Sequence, residues 1–347
     1  MTFPTAEIQV ASAMTPRQMM RGHTAWVRAV VHLPDGCRII TCSSDGSLRL
    51  WDLETGAQIG EDWRDDGDTA SVIIIALSQN GNTIVSGSGD GIVRLWNVEA
   101  GDVIARWRGH AENTNVWSVC WSADDKRVAS GSWDGTVRVW DVKSGRTILG
   151  PIETKHRFVL TVVYSPDSTK IATGGYDEHA VKVWNANTGK LLSTVRQKRS
   201  VWSLAWTSDG KKLVSGLAYD GSIRILDTNT WQQIAVLEGH QDTVRAVTLF
   251  RNDCLLASAS WDKTVRLWNL DTNLPVCRPL DHNRDVICAA FSANGKLLVS
   301  CCDDRNAYVW DIRAILSEVG LEHLSSIPDV SVDSRPTPSN SQAISAI

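Results

Sequence analysis

The chain has 347 residues, more than the usual single domain, so two domains are expected unless an internal repeat enlarges one. Its 43% apolar and 21% charged residues match a globular protein with ample core and exclude an overall disordered chain. A net charge of −4 from 35 basic and 39 acidic residues, without a long run of Lys or Arg, excludes nucleic acid as the main partner.

The amino terminus, MTFPTAEIQVASAM, has no basic stretch leading into an apolar one, and no run of roughly eighteen apolar residues follows anywhere. Residues 1–16 are therefore read as a flexible segment of a soluble intracellular protein, in the cytoplasm or the nucleus. A strand-like segment follows at Arg17–Arg21. From there the chain repeats itself, with copies ending SSDGSLRLWD, GSGDGIVRLWN, GSWDGTVRVWD, GYDEHAVKVWN, AYDGSIRILD, ASWDKTVRLWN and CDDRNAYVWD. The anchors Trp51, Trp96, Trp140, Trp184, Leu226, Trp268 and Trp310 are separated by 45, 44, 44, 42, 42 and 42 residues, the period of a four-stranded propeller blade. This use of one residue type explains why 16 Trp stand against 4 Tyr and 4 Phe.

Within each copy, segments such as VRAVVHL, KLLVSCC and TVRVWD are short, β-branched or apolar, and bounded by turn residues. LPDG, SQNG, SADD, SPDS, TSDG and SANG turn the first strand into the second, and DG or a substitute turns the second into the third. A lone blade cannot bury both faces of its sheet, so the expected fold is all-β, a single seven-bladed propeller of four-stranded antiparallel blades over residues 17–312. The segment Arg17–Arg21 is phrased like VIARWRGH and IAVLEGH, which supply a blade's outermost strand elsewhere, and the last copy lacks one. The amino-terminal strand should therefore complete blade seven and close the ring. Residues 313–347 read as a short helix in IRAILSEVGLEHLSS and then a disordered Pro/Ser-rich tail, either end serving as a linker to further chain. Eight Cys at 37, 42, 120, 254, 277, 288, 301 and 302, without C-x-x-C pairs, read as reduced core thiols.

A Gly-His dipeptide followed about 28 residues later by Trp-Asp or Trp-Asn, complete in three copies of a phased series of seven, resembles the WD-repeat (WD40) family. The phrasing is also similar to the repeat regions of fungal incompatibility-type WD proteins. The resemblance implies a structural tetrad in each blade: an entry His, a second-strand Ser or Thr, the turn Asp and the Trp. It assigns His23, Thr41, Asp45 and Trp51 to blade one; His110, Ser130, Asp134 and Trp140 to blade three; and His156, Thr173, Asp177 and Trp184 to blade four. Blade six would use His240, Ser258, Asp262 and Trp268, and blade seven His282, Ser300, Asp304 and Trp310. A His/Ser/Asp set also invites a hydrolase reading, but five copies at one phase and the lack of a G-x-S-x-G elbow argue for structure. The His are too widely spaced for a metal site, and no cofactor is expected. Asp68 replaces His in blade two, and Lys198 and Leu226 replace His and Trp in blade five, so these two blades are expected to be the weaker ones.

The resemblance also implies which side chains face the central opening: the residues on either side of the first strand's initial Val, and the one before the turn Asp. These positions hold Trp26, Arg28, Trp117, Trp133, Phe158, Tyr176, Trp202, Tyr219, Arg245 and Trp261, with Asp285 and Asp303 on the seventh blade. Eight aromatics and two Arg suit a binding surface for a peptide or protein loop, because Trp, Tyr and Arg dominate interaction hot spots. The expected function is a non-catalytic protein-interaction scaffold. A docking or sensing region of a larger signalling protein, and an aromatic cage for methyl-lysine, are the alternatives. A channel enzyme would need more than the two carboxylates Asp285 and Asp303.

Overall fold

In the computed structural model, which describes residues 14–65, 69–177 and 179–325, the repeat becomes seven antiparallel sheets. The first strands are Val27–His32, Val72–Leu77, Val116–Trp121, Phe158–Tyr164, Val201–Trp206, Val244–Leu249 and Val286–Phe291. Each lies beside the first strands of both neighbouring blades, including the seventh against the first, so the ring is closed. The fold is the seven-bladed propeller that the period implied.

Why the blades pack can be read from their composition. First and second strands are covered on both faces, fully so in Val72–Leu77 and Leu255–Ser260, where every residue is apolar or small and buried. Fourth strands alternate, as in Val103–Trp107, because one face meets water. Small residues in the second strand let the next blade approach. A Cβ added to Gly131 would stand 2.5 Å from Val159 Cγ1, and one added to Gly174 would stand 2.5 Å from Val201 Cγ1. The initial Val of each following blade thus fills the space that glycine leaves.

Closure uses the amino-terminal strand. Gln18–Met20 pairs antiparallel with the third strand of blade seven, in the register Gln18↔Val309, Met19↔Tyr308 and Met20↔Ala307. Met20 is fully buried in the core that joins blades one and seven. Blade six has the one broken rim: Leu274–Pro275 and Leu280–Asp281 both pair with Thr264–Asn269, and the chain leaves the ladder between them. After blade seven, a helix at Ile312–Glu318 is capped by Asp311, whose carboxylate accepts from the Ala314 amide at 2.9 Å. Its apolar side, Ile312, Ile315 and Leu316, joins Phe250, Phe291 and Trp310 under blades six and seven.

The expected loose segments, residues 1–13 of the first and residues 326–347 of the tail, lie outside the described residues. All eight cysteines are free. One expectation needs correction: Cys37 is exposed and Cys254 and Cys277 are only partly covered, because they sit in turns and at the broken rim rather than inside first or second strands.

Since closure depends on a three-residue strand anchored by one buried thioether, Met20→Ala should lower unfolding stability by about 2–5 kcal/mol. Chemical denaturation followed by tryptophan fluorescence would measure it; a loss below about 0.5 kcal/mol would mean the strand is not what holds the ring.

Candidate functional site

The polar scaffold beneath the central face is a set of hydrogen-bonded chains. In blade one the Trp51 indole N–H donates to Thr41 Oγ1 at 2.8 Å, and Thr41 lies 2.8 Å from His23 Nε2. His23 Nδ1 lies 2.9 Å from Asp45 Oδ2. An indole N–H only donates, so the chain has one polarity: the Thr41 hydroxyl gives its proton to Nε2, and Nδ1–H gives its own to the carboxylate. Blade three repeats it through Trp140, Ser130, His110 and Asp134, with separations of 2.8, 2.7 and 2.9 Å. Blade six does so through Trp268, Ser258, His240 and Asp262, at 2.8, 2.7 and 2.7 Å. Thr41, Ser130 and Ser258 are completely buried, so no substrate reaches the hydroxyls, and each chain acts as a bracket between strands.

Two blades differ from the expected tetrad. In blade four Trp184 donates to Thr173 at 3.0 Å and His156 Nε2 stands 3.5 Å from it, but Asp177 is more than half exposed and its ion pair, at 3.9 Å, is with Arg157. The turn there, YDEHA, is longer, and Asp177 adopts a positive φ that swings it outward. In blade seven Trp310 donates to Ser300 at 2.9 Å and Ser300 lies 2.7 Å from His282, but His282 Nδ1 faces the Leu280 carbonyl at 3.0 Å instead of Asp304. Asp304 accepts from the Tyr308 hydroxyl, which a third strand carrying Tyr in place of the usual Arg or Lys supplies.

Blades two and five, which lack the entry His, also part company. Asp68 lies outside the described residues. In blade two, Arg94 is buried and bridges two carboxylates, donating to Asp65 at 2.6 Å and to Asp90 at 2.7 Å, while Arg106 closes on Asp65 from the rim. The Arg106 hydrogen bond, against burial and with that of Arg94, holds the Asp65 carboxyl below its ordinary range. Blade five has no such substitute: Lys198 is exposed, Leu226 packs without a donor, and the Ser215 hydroxyl turns back to the Arg224 carbonyl at 3.3 Å.

Above the brackets, every first strand carries a β-bulge immediately after its initial Val. Pairing with the second strand skips Arg28, Ile73, Trp117, Leu160, Trp202, Arg245 and Ile287, one in each blade. A bulge re-aims its extra side chain, and here seven converge on the central opening. Ile73, Trp117 and Leu160 form a buried cluster against which Phe158, Tyr176 and Trp202 pack. Trp117 stacks on Trp133 with centroids 4.9 Å apart and meets Trp202 edge-on at 6.2 Å. The aromatic run extends from Trp133 to Phe158 and Tyr176 on one side, and from Trp202 to Trp261 on the other.

The two Arg of this face lie on the rings. Arg245 sits 5.0 Å from the Trp117 centroid and 4.4 Å from that of Trp202; Arg28 sits 4.7 Å from Trp26 and 5.8 Å from Trp117. Burial, and then repulsion from Arg28, lowers the Arg245 pKa to about 9. Burial also lowers that of Arg28, whose Nε donates to Ser44 at 2.7 Å. Asp285 and Asp303, on blade seven, are part-buried, and both carboxyls are raised, first by burial; Asp285 then raises Asp303 further. The set is therefore less uniform than a rim of open rings. Trp26, Trp133 and Tyr219 are exposed; Arg28, Phe158, Tyr176, Trp202 and Trp261 are half-buried; and Trp117 and Arg245, at 7% and 3% exposure, form the floor. Among the described residues no group of three or more His, Cys, Asp or Glu is placed to hold a metal ion.

A closed ring of seven four-stranded blades, with indole-to-hydroxyl brackets inside them, defines a β-propeller of the WD-repeat class. Comparison with known families agrees: the WD domain, G-beta repeat, matches seven times, at residues 14–52, 65–97, 101–141, 148–185, 189–227, 231–269 and 275–311, and the chain belongs to the WD40 family. Individual relatives match over single repeats. The chain is 44% identical to human WD repeat-containing protein 97 over 45 residues, 13% of this chain and 3% of that protein. It is 44% identical over 43 residues to nuclear distribution protein PAC1 of Yarrowia lipolytica, 12% of this chain and 10% of the other. The matches thus cover only a small part of the length of either relative.

The brackets give stability a pH dependence with two windows. His282 is held neutral, its pKa lowered to about 4 from the usual 6.5 by burial, so the unfolded chain binds its proton first and stability falls as pH drops from about 6.5 towards 4. Asp262 behaves differently. Burial raises its carboxyl, but the hydrogen bonds from His240, Thr264 and the Gln241 amide outweigh it and hold the carboxyl far below the usual range. Its contribution is present above the ordinary carboxylate pKa and is lost as pH falls below it. Urea unfolding between pH 7 and 3 should show His282→Gln reducing the slope of the upper window, the rest of which belongs to His32, likewise lowered to about 4 by burial, and Asp262→Asn costing about 2–3 kcal/mol at pH 7, a loss that shrinks below pH 4; parallel curves for all three proteins would contradict the assignment. Amide exchange should separate the two atypical blades, with faster exchange in blade five than in blade two; equal protection would show that the Asp65 network adds nothing.

Proposed function

We propose that this propeller is a protein-interaction scaffold that takes a peptide or protein loop on its aromatic central face. The observation that supports this reading most is the continuous run of rings from Tyr176 through Phe158, Trp133, Trp117 and Trp202 to Trp261, with Trp26, Trp133 and Tyr219 of the same face open to solvent. Rings of this kind offer large apolar area with few rotatable bonds, and such residues carry the binding energy at protein interfaces. The His/Ser/Asp sets offer catalysis little to work with, since their hydroxyls are buried and inaccessible. A methyl-lysine cage fits less well than a peptide groove, since Arg28 and Arg245 already occupy the faces of Trp26, Trp117 and Trp202 that a ligand cation would need. Eight free thiols accord with work in the reducing interior of a cell.

Replacing the accessible rings alone tests the reading without opening the floor. Trp26→Ala, Trp133→Ala, Tyr219→Ala and Trp261→Ala, combined, should leave the melting temperature within about 3 °C and remove partners captured by the wild type, each hot-spot ring being worth about 2 kcal/mol. Recovery of the same partners by the fourfold variant would place binding on another face.

A further inference from the structure

Three donors on the floor of the central face stand without acceptors, while the unpartnered carboxylate oxygen of the same face, Asp303 Oδ1, belongs to blade seven. Trp117 Nε1, Trp202 Nε1 and Arg245 Nη1 are all buried and lack a hydrogen-bond partner. Indole and guanidinium nitrogens donate only, so three orphan donors, gathered within one cluster of rings, leave a demand that only an acceptor can meet. The charge is equally one-sided. Arg245, Ile287 and Arg28 hold the same bulge position in blades six, seven and one, so two guanidiniums flank a single aliphatic side chain. Neither is in an ion pair among the described residues. Asp285 and Asp303 do not serve them: the cations bearing on those carboxyls are Lys263 and Arg284.

We infer that the floor is a carboxylate-binding site, which receives an Asp or Glu side chain of the docked segment between Arg28 and Arg245. The inference rests on the peptide-binding reading above and adds to it the chemistry of one position in the peptide. An unpaired buried guanidinium is costly, and a carboxylate that accepts from it in a site roofed by indoles removes that cost while its remaining lone pairs meet the indole N–H groups. The faces of both guanidiniums lie on rings, so their edges are what remain for contact, and a planar carboxylate meets such an edge with two oxygens. A single negative charge suits the place better than a dianion, because Asp285 and Asp303 already bring negative charge to the blade between the two arginines. Trp26 and Trp133, the exposed rings beside Arg28 and Trp117, form the lip over which the segment enters.

Titration of the whole chain, labelled with ¹⁵N-tryptophan, with acetyl-Gly-Glu-Gly-amide tests this directly. The Trp117 and Trp202 indole signals, assigned by Trp→Phe variants, should shift and saturate. The Gln analogue should bind at least tenfold more weakly. Arg245→Met should lose binding of the Glu peptide by at least tenfold, and Arg28→Met by a smaller factor, with melting curves reporting that both variants fold. Equal shifts with the Glu and Gln peptides, or an unaffected Arg245→Met variant, would overturn the assignment. A phosphoserine peptide binding more tightly than the Glu peptide would overturn the choice of carboxylate and make this a dianion site. The two readings fail separately: loss of partners in the fourfold ring variant with no carboxylate response would remove this inference alone, and a carboxylate response with partners retained would remove the peptide-binding reading alone.

Discussion

Everything in this molecule depends on a short strand pairing. Each blade is a small sheet whose two faces are both apolar, and its own residues cover neither, so a blade is stable only between two neighbours. A line of blades would leave two such faces open. Gln18–Met20, hydrogen-bonded to Ala307–Val309, joins the ends and turns seven interfaces that each need the next into one cooperative core. Dispersion between closely fitted blades does the rest, and the second-strand glycines at 131 and 174 let the fit be close enough for a Val methyl to fill it.

The buried polar groups work within that frame. A bracket such as Trp268–Ser258–His240–Asp262 ties the third strand, second strand, entry loop and turn of one blade through groups that would be expensive to bury singly. Satisfying them together is what makes the chain tolerable in the interior, and the replacements obey the same rule. Blade two meets its need with the buried Arg94 between Asp65 and Asp90, and blade seven lets Tyr308 serve Asp304 while a backbone carbonyl serves His282. Blade five puts apolar Leu226 where the indole donor would be, so there is less to satisfy and less to hold the turn.

How much of this the sequence discloses follows from which residues the repeat constrains. The turn Asp recurs in all seven copies, the third-strand Trp in six and the small residues in every second strand, and their common phase gives blade number, strand order and closure. Partner exchange within a blade is harder to read. That Asp177 turns outward goes with the extra residue of YDEHA, which lengthens the Asp-to-Trp spacing from six to seven and is a signal the sequence does carry, whereas the change of partner at Asp304 depends on one hydroxyl at Tyr308 and leaves the spacing unchanged. The bulge is hidden for a different reason: its occupants are Arg, Ile, Trp, Leu, Trp, Arg and Ile, with no shared chemistry, because the fold asks only that the position point inward. Burial of Trp117 arises from Trp133 of its own blade and from Trp202 and Arg245, which meet it across the opening from blades five and six.

The proposed binding face draws on that freedom at one phase. Seven bulges deliver seven side chains to one small circle, and because the ladder leaves these positions unpaired their chemistry varies from blade to blade. Here the circle is divided. Trp117, Leu160 and Trp202 fill one side with apolar surface, and Arg28, Ile287 and Arg245 bring two positive charges to the other, with the Trp117 ring between them. Cation–π contact explains why the guanidiniums tolerate the position, since ring faces offset part of the lost hydration, but it leaves Arg245 Nη1 and the indole N–H groups without acceptors, while Arg28 Nε has Ser44. A floor built only for packing would not place donors of one kind together, whereas a floor that grips an acidic side chain beneath a lip of open rings would.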